Sequence, residues 1–314
     1  MRKTIAFIGQ ISTKDRTAWL GRISPLLENI EIIPFENLTD KQKLEIEVAI
    51  VANPDPKDLL TLKNLLWVQS LWAGVERLLA ELPQADFGIV RMIDPTLSTT
   101  MAEAVLAWTF YLHRDMPKYL LQQKTKIWQQ NELVELKERN IGILGLGNLG
   151  RASAKKLFLN GFNVYGWSRG QTDIPGVKCF YGSAGLKNML KKTNILICLL
   201  PLTDETHGLL SYENLGLLPR RASLINFSRG QIVDDSALLQ HLENGHLKHA
   251  ILDVFDIEPL PKSSRLWDSQ NITVLPHISA PTNMRTASEL VANNLLQYFE
   301  KGIVPETIVR SRGY

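Results

Sequence analysis

The fold is decided by the stretch Asn140-Ile-Gly-Ile-Leu-Gly-Leu-Gly-Asn-Leu-Gly150. Its first five residues form an apolar run typical of a buried strand, and the helical pattern of Arg151 to Leu159 follows directly. In a G-x-G-x-x-G turn, Gly145 permits the tight bend, Gly147 lets the backbone approach a pyrophosphate, and Gly150 lets helix and strand pack closely. Such glycines also occur in plain strand-to-helix turns. Here the preceding strand and the following helix favour a dinucleotide site, with the anion at the helix N-terminus.

The strand that follows, Asn163 to Trp167, ends without the acid that an NAD-preferring site normally carries for the ribose hydroxyls. Ser168 and Arg169 stand there instead. A guanidinium binds a 2′-phosphate through charge-assisted hydrogen bonds, and the missing carboxylate removes the repulsion that would exclude this phosphate. We therefore predict that NADP(H) is preferred over NAD(H). The structural alternative is a solvated loop arginine.

Short apolar runs alternate with helical patterns along the rest of the chain. Most of the runs are continuously apolar, as expected for parallel strands that are covered on both faces. Five of them precede residue 98 and six follow residue 139, which predicts an α/β protein with two doubly wound parallel sheets. The predicted strands are Thr4 to Gly9, Glu31 to Phe35, Val48 to Ala52, Leu66 to Ser70, Gly88 to Ile93, Asn140 to Gly145, Asn163 to Trp167, Ile195 to Leu200, Ser223 to Asn226, Ala250 to Val254 and Ile272 to Leu275.

Two long helices are predicted from capping signals. The spacing from Thr100 to Glu103 is that of a capping box, and it predicts a helix that begins near Ser98 and bridges the two units. The last helix is expected from about Thr282 to Lys301, because Gly302 is a suitable residue to end it.

Three polar stretches lie at or just after the ends of later strands, at the edge where doubly wound folds bind their ligands. They contain Arg229, Glu258 and His277. Together these side chains supply a fixed cation for a substrate carboxylate and carbonyl, an imidazole for proton transfer, and a carboxylate that orients the imidazole. This set suits hydride exchange between a 2-oxo acid and nicotinamide. Taken singly, each residue also has a structural explanation, as an ion-pair partner, a solvated acid or a satisfied histidine.

Two nearby carboxylates have more specific expected roles. A carboxylate at Glu258 would favour the protonated form of His277 and would fix which ring nitrogen faces the substrate. Asp253 comes at the end of its strand and is a candidate for binding the nicotinamide carboxamide.

Composition argues against several other classes of protein. The 35 basic and 32 acidic residues leave a net charge of only +3, without a dense basic block, so we expect no nucleic-acid partner. The longest strongly apolar run, Ile195 to Leu202, is far shorter than the roughly 20 residues of a membrane-spanning helix. The two cysteines, Cys179 and Cys198, are expected to be inert thiols in a reducing compartment. We therefore expect a soluble, cytoplasmic protein.

No metal site is expected either. Three histidines lie near the predicted helix of Asp234 to Gly245, but their spacing, without a nearby cysteine, is typical of a solvated helix end. These histidines are His241, His246 and His249.

Several of these stretches occur in the same order in a known family. The chain resembles the D-isomer-specific 2-hydroxyacid dehydrogenases along nearly its whole length, and the order of the motifs makes the resemblance highly specific. Within the family it is most similar to the members that reduce glyoxylate and hydroxypyruvate. The matching stretches are Trp72-Ala-Gly-Val75, the glycine turn, Leu200 to Thr206, Leu224 to Gly230, Leu252 to Pro259 and Pro276-His277.

The resemblance implies a specific domain organisation. A Rossmann nucleotide-binding domain, residues 97–285, would be inserted into a flavodoxin-like substrate domain formed by residues 1–96 and 286–314. A cleft between the domains would hold the site. The family is usually dimeric, with the helix from Ser98 and the segment past Trp128 as expected contacts.

The resemblance also implies a set of site residues. The family's catalytic Arg, Glu and His fall on Arg229, Glu258 and His277. Substrate contacts would come from Arg229, His277 and a carboxylate-binding loop with backbone N–H donors, formed by Trp72, Ala73, Gly74 and Val75. Cofactor contacts would come from Gly145, Gly147, Asn148, Leu149, Gly150, Ser168, Arg169, Pro201, Thr206, Ser228 and Asp253.

The leading hypothesis is therefore an NADP(H)-dependent reductase of small 2-oxo acids such as glyoxylate and hydroxypyruvate. One alternative is a related dehydrogenase that acts on phosphoglycerate or formate, although Glu258-Pro259 argues against formate. The other is a nucleotide-sensing interaction protein on the same fold, like the C-terminal-binding corepressors. The joint presence of the catalytic Arg, Glu and His favours an enzyme.

Overall fold

Two parallel sheets, one of five strands and one of seven, organise the chain. The computed structural model describes residues 3–310. The chain divides into two units, one made of Met1–Thr96 with Thr282–Tyr314 and the other of Leu97–Pro281. The last four residues of the predicted 286–314 segment, and the first two of 1–96, lie outside the described residues.

The first unit is a doubly wound sheet with strand order β2-β1-β3-β4-β5. The order reverses beside β1, as in flavodoxin-like sheets. Its strands are β1 (Lys3–Gly9), β2 (Ile30–Pro34), β3 (Val48–Ala52), β4 (Trp67–Ser70) and β5 (Gly88–Val90). Its helices are α1 (Thr13–Ile23), α2 (Asp40–Glu45), α3 (Pro56–Thr61), α4 (Glu76–Glu81) and, at the far end of the chain, α11 (Met284–Lys301).

The second unit is built on a sheet with strand order β12-β11-β10-β9-β6-β7-β8, which is the Rossmann order with one additional strand. Its strands are β6 (Asn140–Leu144), β7 (Asn163–Ser168), β8 (Val177–Tyr181), β9 (Ile195–Cys198), β10 (Ala222–Asn226), β11 (Leu247–Leu252) and β12 (Ile272–Val274). Its helices are α6 (Met116–Lys124), α7 (Asn148–Leu159), α8 (Gly182–Leu190), α9 (Tyr212–Gly216) and α10 (Asp235–Glu243), and α5 (Pro95–His113) leads into it from the first unit.

Both faces of each sheet are covered by apolar side chains, which explains why many of the strands are continuously apolar in sequence. In β1, Ile5 and Phe7 pack into one cluster while Ala6 and Ile8 pack into another on the opposite face. The central strands of the second sheet are buried in the same way, between two further clusters. These observations confirm the prediction of two doubly wound parallel α/β sheets.

The start of α5 differs from the prediction. The helix begins at Pro95 rather than near Ser98, so Thr100 and Glu103 lie inside it and do not form a capping box. Proline is well suited to the first helical turn, and the Asp94 carboxylate accepts a hydrogen bond from the Thr96 amide at 2.8 Å. This carboxylate takes the capping role that the sequence analysis gave to Thr100.

The end of α11 is as predicted. Gly302 ends the helix in the left-handed conformation, with φ of 68°. Asn283 caps its start, one residue after the predicted Thr282. Among residues 3–310, no helix combines the length and the apolar character that crossing a membrane requires.

Candidate active site

The glycine turn joins β6 to α7 as the sequence predicted. Gly145 has φ of +95°, a backbone conformation that residues with a side chain rarely adopt. A Cβ there would also lie 2.7 Å from the Leu199 carbonyl oxygen. Gly150 is packed against the same turn, because a Cβ on it would lie 1.8 Å from the Gly145 carbonyl oxygen. Both glycines are therefore required by the protein's own packing.

Gly147 is different, because none of residues 3–310 fills the space beside it. A Cβ there would meet no atom within 4 Å, and its φ of −73° is open to any residue. It is also the N-cap of α7, with no side chain bonded to the cap and no acidic residue in the first turn. Asn148 and Gly147 are exposed, Leu149 is half-buried and Gly150 is buried. The turn thus presents bare backbone N–H groups to an open space, which is the arrangement that binds phosphate.

The end of β7 carries the two residues predicted to discriminate between cofactors. The Ser168 hydroxyl donates to the Gly170 carbonyl at 2.8 Å and so shapes the loop. Arg169 forms an ion pair with Glu205, with 3.3 Å between Nη1 and Oε2. The Arg169 side chain is 49% exposed, and the predicted roles of Ser168 and Arg169 toward a cofactor stay predictions.

The loop after β9 is held together by Thr206. Its hydroxyl donates to the Pro201 carbonyl at 2.7 Å and accepts from the Thr203 amide at 2.8 Å. Thr206 is only 8% exposed. Its side chain therefore fixes the loop, and the predicted cofactor contacts of Pro201 and Thr206 stay predictions.

The turn that carries Arg229 follows β10 and is held by a buried asparagine. The side-chain Nδ2 of Asn226 donates to the Arg229 backbone carbonyl at 3.0 Å, and its Oδ1 accepts from the Ser228 backbone N–H at 3.2 Å. The Ser228 hydroxyl accepts from the Arg229 amide at 2.7 Å, and the guanidinium donates back to the Ser228 carbonyl at 2.6 Å. Ser228 is 5% exposed, so the contacts seen for its hydroxyl are internal, and its predicted role toward a cofactor stays a prediction.

Gly230 joins this turn to the loop after β11. A Cβ on Gly230 would lie 2.1 Å from the Phe255 carbonyl carbon and 2.3 Å from the Asp256 nitrogen. The Gln231 side chain also donates to the Asp256 carbonyl, at 3.4 Å. The two loops pack backbone to backbone, which no residue larger than glycine would allow.

Glu258 connects the same loop to His277. One carboxylate oxygen accepts from the Phe255 amide at 2.9 Å, and the other is 2.8 Å from the Nδ1 atom of His277. The side chains of Glu258 and His277 are 35% and 55% exposed, so the pair is open to a ligand. A proton on Nδ1 donates to the carboxylate and leaves Nε2 on the other side of the ring. The structure therefore brings the loops of Arg229, Glu258 and His277 into one cluster.

Asp253 holds the backbone that follows His277. His277 has φ of 55°, in the left-handed region that is costly for a residue with a side chain. The amides of Ile278 and Ser279 donate to the two oxygens of Asp253, at 2.7 and 2.8 Å. Asp253 is 2% exposed, so its observed function is to stabilise this turn, and binding of a carboxamide stays a prediction.

The predicted carboxylate-binding loop lies in the first unit, between β4 and α4. The Trp72 amide donates to the Ser70 hydroxyl at 3.0 Å, and its indole packs edge-on against Trp19. Ala73 and Gly74 are half-buried, and Val75 is buried as the N-cap of α4. The substrate contacts of this loop stay predictions.

The structure shows contacts of Asn226, Gly230 and Glu205 that the sequence does not predict. Asn226 and Gly230 lie in a stretch that had been singled out, but the contacts of the amide and the close loop packing have no signal in a single sequence. The partnership of Arg169 with Glu205 joins residues 36 positions apart, and no spacing rule predicts it.

Within residues 3–310, no three His, Cys, Asp or Glu side chains are grouped in a way that could hold a metal ion.

Comparison with known proteins identifies the family. Residues 106–279 match the model of the D-isomer specific 2-hydroxyacid dehydrogenase, NAD binding domain. The glyoxylate/hydroxypyruvate reductase A of Serratia proteamaculans is 34% identical over 298 residues, covering 93% of this chain and 94% of that protein.

Many solved structures resemble the chain, and two examples resemble it along nearly its whole length. One is a D-isomer specific 2-hydroxyacid dehydrogenase from Xanthobacter autotrophicus in complex with NADPH and MES, which is 33% identical with a TM-score of 0.92 and full coverage of both chains. The other is an NADPH-dependent glyoxylate/hydroxypyruvate reductase from Sinorhizobium meliloti in complex with NADP and sulfate, which is 30% identical with a TM-score of 0.89, covering 99% of this chain and 100% of that one. This chain belongs to the D-isomer specific 2-hydroxyacid dehydrogenase family.

Proposed function

We propose that this protein reduces small 2-oxo acids, such as glyoxylate and hydroxypyruvate, to D-2-hydroxy acids with NADPH. The observation that carries the proposal is the hydrogen bond between Glu258 and His277, in a loop cluster shared with Arg229 at the carboxyl end of the second sheet. The relatives named glyoxylate/hydroxypyruvate reductase support the choice of substrate.

The residues of the second unit fit a dinucleotide cofactor. Gly147 has no packing reason to be glycine, so its bare backbone is explained by the close approach of a pyrophosphate to the start of α7. Arg169 would bind the 2′-phosphate, which favours NADP(H) over NAD(H). The chemistry that the bound cofactor supplies is hydride donation to the carbonyl carbon of the substrate.

His277 donates the proton that the reduced carbonyl oxygen needs. Since Nδ1 is directed to the Glu258 carboxylate, Nε2 is the atom that gives its proton to the substrate oxygen. Glu258 fixes this orientation through its hydrogen bond to Nδ1. Asp253 acts as a positioning residue, because it holds the two amides that follow His277.

Arg229 binds the carboxylate of the 2-oxo acid and polarises its carbonyl oxygen. A guanidinium suits both tasks, since its planar fork meets two oxygens at once and stays charged. Asn226 and Gly230 position the turn that carries it.

The two units have separate roles in this proposal. The predicted nucleotide-binding domain is supported by the family model over residues 106–279. The predicted substrate domain contributes the loop of Trp72, Ala73, Gly74 and Val75, whose backbone N–H groups would bind the substrate carboxylate.

A steady-state assay with both reduced cofactors tests the activity. We expect oxidation of NADPH with glyoxylate and with hydroxypyruvate, at higher kcat/KM than with NADH or with a phosphorylated 2-oxo acid. Cofactor binding without turnover would identify a nucleotide sensor instead. Equal or better efficiency with NADH would refute the cofactor preference.

The Arg229→Ala variant tests substrate recognition. We expect KM for the 2-oxo acid to rise and kcat to fall together, because the guanidinium acts in binding and in the transition state. Arg265→Ala is the matched control, since Arg265 lies on the same unit and pairs with Glu243 at the surface. Unchanged kinetics of Arg229→Ala would separate this residue from the reaction.

The protein is further proposed to be a homodimer in the cytoplasm. Trp128 is 99% exposed and Leu133 72%, in the segment that follows α6. Nearby in sequence, Gln122 Oε1 and the side-chain amide atoms of Asn131 are buried and have no hydrogen-bond partner among residues 3–310. A second copy of the chain would cover this segment.

Both cysteines are free, and burial raises the pKa of the Cys198 thiol, which suits a reducing compartment.

Sedimentation velocity tests the dimer. We expect the wild-type protein to sediment as a dimer and Trp128→Glu to shift it toward monomer, with Trp267→Glu, another exposed tryptophan, as the control. A monomeric wild-type protein would contradict the proposal.

A further inference from the structure

The ion pair between Arg169 and Glu205 joins the loops that follow the two neighbours of β6 in the sheet. Arg169 follows β7 and Glu205 lies in the loop after β9. These two strands flank β6 on either side in the sheet, and β6 leads into the glycine turn. The pair therefore links the two loops that adjoin the strand of the dinucleotide turn, on the edge where the cofactor is expected.

We propose that Glu205 is a specificity-determining residue that weakens the preference of this protein for a 2′-phosphorylated cofactor. This inference rests on the proposed use of NADPH through Arg169. In the structure the Glu205 carboxylate is 3.3 Å from the guanidinium that the 2′-phosphate would contact. A phosphate that binds there has to displace this carboxylate or share the guanidinium with it, at the cost of like-charge repulsion.

Exposure allows such an exchange. The side chains of Arg169 and Glu205 are 49% and 68% exposed. The carboxylate therefore remains solvated by water when it leaves the pair. Exposed ion pairs contribute little to stability, so the pair is readily broken. With a cofactor that lacks the phosphate, the pair persists and Glu205 carries no penalty.

The loop does not need the pair for its own structure. Thr206 already closes it through hydrogen bonds to Pro201 and Thr203. Neutralising Glu205 is therefore expected to change the charge beside Arg169 and to leave the loop folded.

Calorimetric titration of the cofactor-free protein with 2′,5′-ADP and with 5′-AMP, which differ only in the 2′-phosphate, measures the preference without catalysis. For Glu205→Gln we expect the ratio of the two affinities to shift by about two- to fivefold in favour of 2′,5′-ADP, which is the range of an exposed ion pair. Asp204→Asn is the matched control, because it removes the same charge from the neighbouring exposed residue. Its ratio is expected to equal that of the wild type.

Arg169→Ala separates a failure of this inference from a failure of the proposed function. If Arg169→Ala leaves the affinity ratio unchanged, Arg169 is not the phosphate site, and the basis of the inference falls with it. If Arg169→Ala collapses the ratio while Glu205→Gln leaves it unaltered, only the role of Glu205 is refuted. An equal shift in Asp204→Asn and Glu205→Gln would also overturn it, because the effect would then be one of net charge.

Discussion

Each sheet reverses its strand order beside one strand-to-helix turn. The two turns differ in what bonds the free N–H groups at the start of the helix that follows. In the first unit, the Ser12 hydroxyl caps α1 by accepting from the Asp15 amide at 3.0 Å, and the acidic Asp15 lies in the first turn. In the second unit, α7 starts at Gly147 without a side-chain cap and without an acid. The same topology therefore yields one helix start that is closed by its own side chains and one that is left for an external anion.

The same contrast holds for the loops around the second turn. Arg229, Glu258 and His277 follow successive strands of the second sheet. The side chains of Arg229 and Glu258 are held by backbone groups of Ser228 and Phe255, and His277 is held by the Glu258 carboxylate. A site in this fold therefore depends on which polar groups the local structure leaves available, rather than on the strand order alone.

The largest expected effect is that of His277→Asn. The variant keeps a polar side chain but removes the proton donor, so the rate of 2-oxo acid reduction is expected to fall by about 10²- to 10⁴-fold. Single-turnover kinetics with NADPH measure this loss, and His207→Asn, an exposed histidine of the same unit, is the control. Turnover at the wild-type rate would remove His277 from the mechanism.

Gly147→Ala and Gly150→Ala test whether the second turn is open for a ligand. Alanine at position 147 contacts no atom of the described part of the chain, so the variant should fold normally. It should lose about tenfold in cofactor affinity, since its methyl group occupies the space expected for the pyrophosphate. Alanine at position 150 clashes with the Gly145 carbonyl and should cost about 1–3 kcal/mol of unfolding free energy. Thermal unfolding and cofactor titration separate the two effects. Wild-type affinity in Gly147→Ala would argue against the anion site.

Ser12→Ala probes the closed turn of the first unit. Losing the N-cap hydroxyl should lower the free energy of unfolding by about 1 kcal/mol, because the amide of Asp15 loses its acceptor. Urea denaturation and cofactor titration measure stability and binding in parallel. A change in cofactor affinity would mean that the two helix starts are not independent.

Asp235 lies at a third helix start, that of α10, and its replacement is expected to have the smallest effect on unfolding free energy. Burial, with the nearby Asp256 and Asp234 carboxylates, raises its pKa from 3.8 to about 6. The folded state thus binds this proton more tightly than the unfolded state, so the wild-type unfolding free energy falls as the pH rises from about 4 to about 6. Asp235→Asn abolishes this titration.

Between pH 4 and pH 7 the stability of Asp235→Asn relative to wild type should therefore increase, by an amount of order 1 kcal/mol at most after allowance for solvent screening. Thermal unfolding across this pH range provides the measurement. Parallel stability curves for the two proteins would show that the carboxyl group titrates normally.

The sequence was sufficient for the parts of the fold that depend on local pattern. The two sheets and the glycine turn follow from continuous apolar runs and glycine spacing, and they are confirmed. The edge strand β8 was not predicted, because Val177–Tyr181 is only partly buried and its apolar pattern is weak. The start of α5 was misplaced, because the Asp94 cap competes with a motif that lies within the helix.

The site was less completely predictable. The hydrogen bond between Glu258 and His277 was anticipated from residue type and order, while the catalytic and binding roles of the site residues stay predictions. The contacts of Asn226, Asp253 and Glu205 depend on loop conformations that no local pattern specifies. Residues far apart in the chain meet there only after the sheet has formed.

The glycine at position 230 limits how this protein can diversify. Because the Arg229 turn and the Phe255 backbone touch without room for a methyl group, we expect a shift of one loop to require a matching shift of the other. Mutational drift toward new substrates is then confined to elements outside this contact, foremost the Trp72 loop of the other unit. Directed evolution of substrate range should accordingly begin with libraries in that loop.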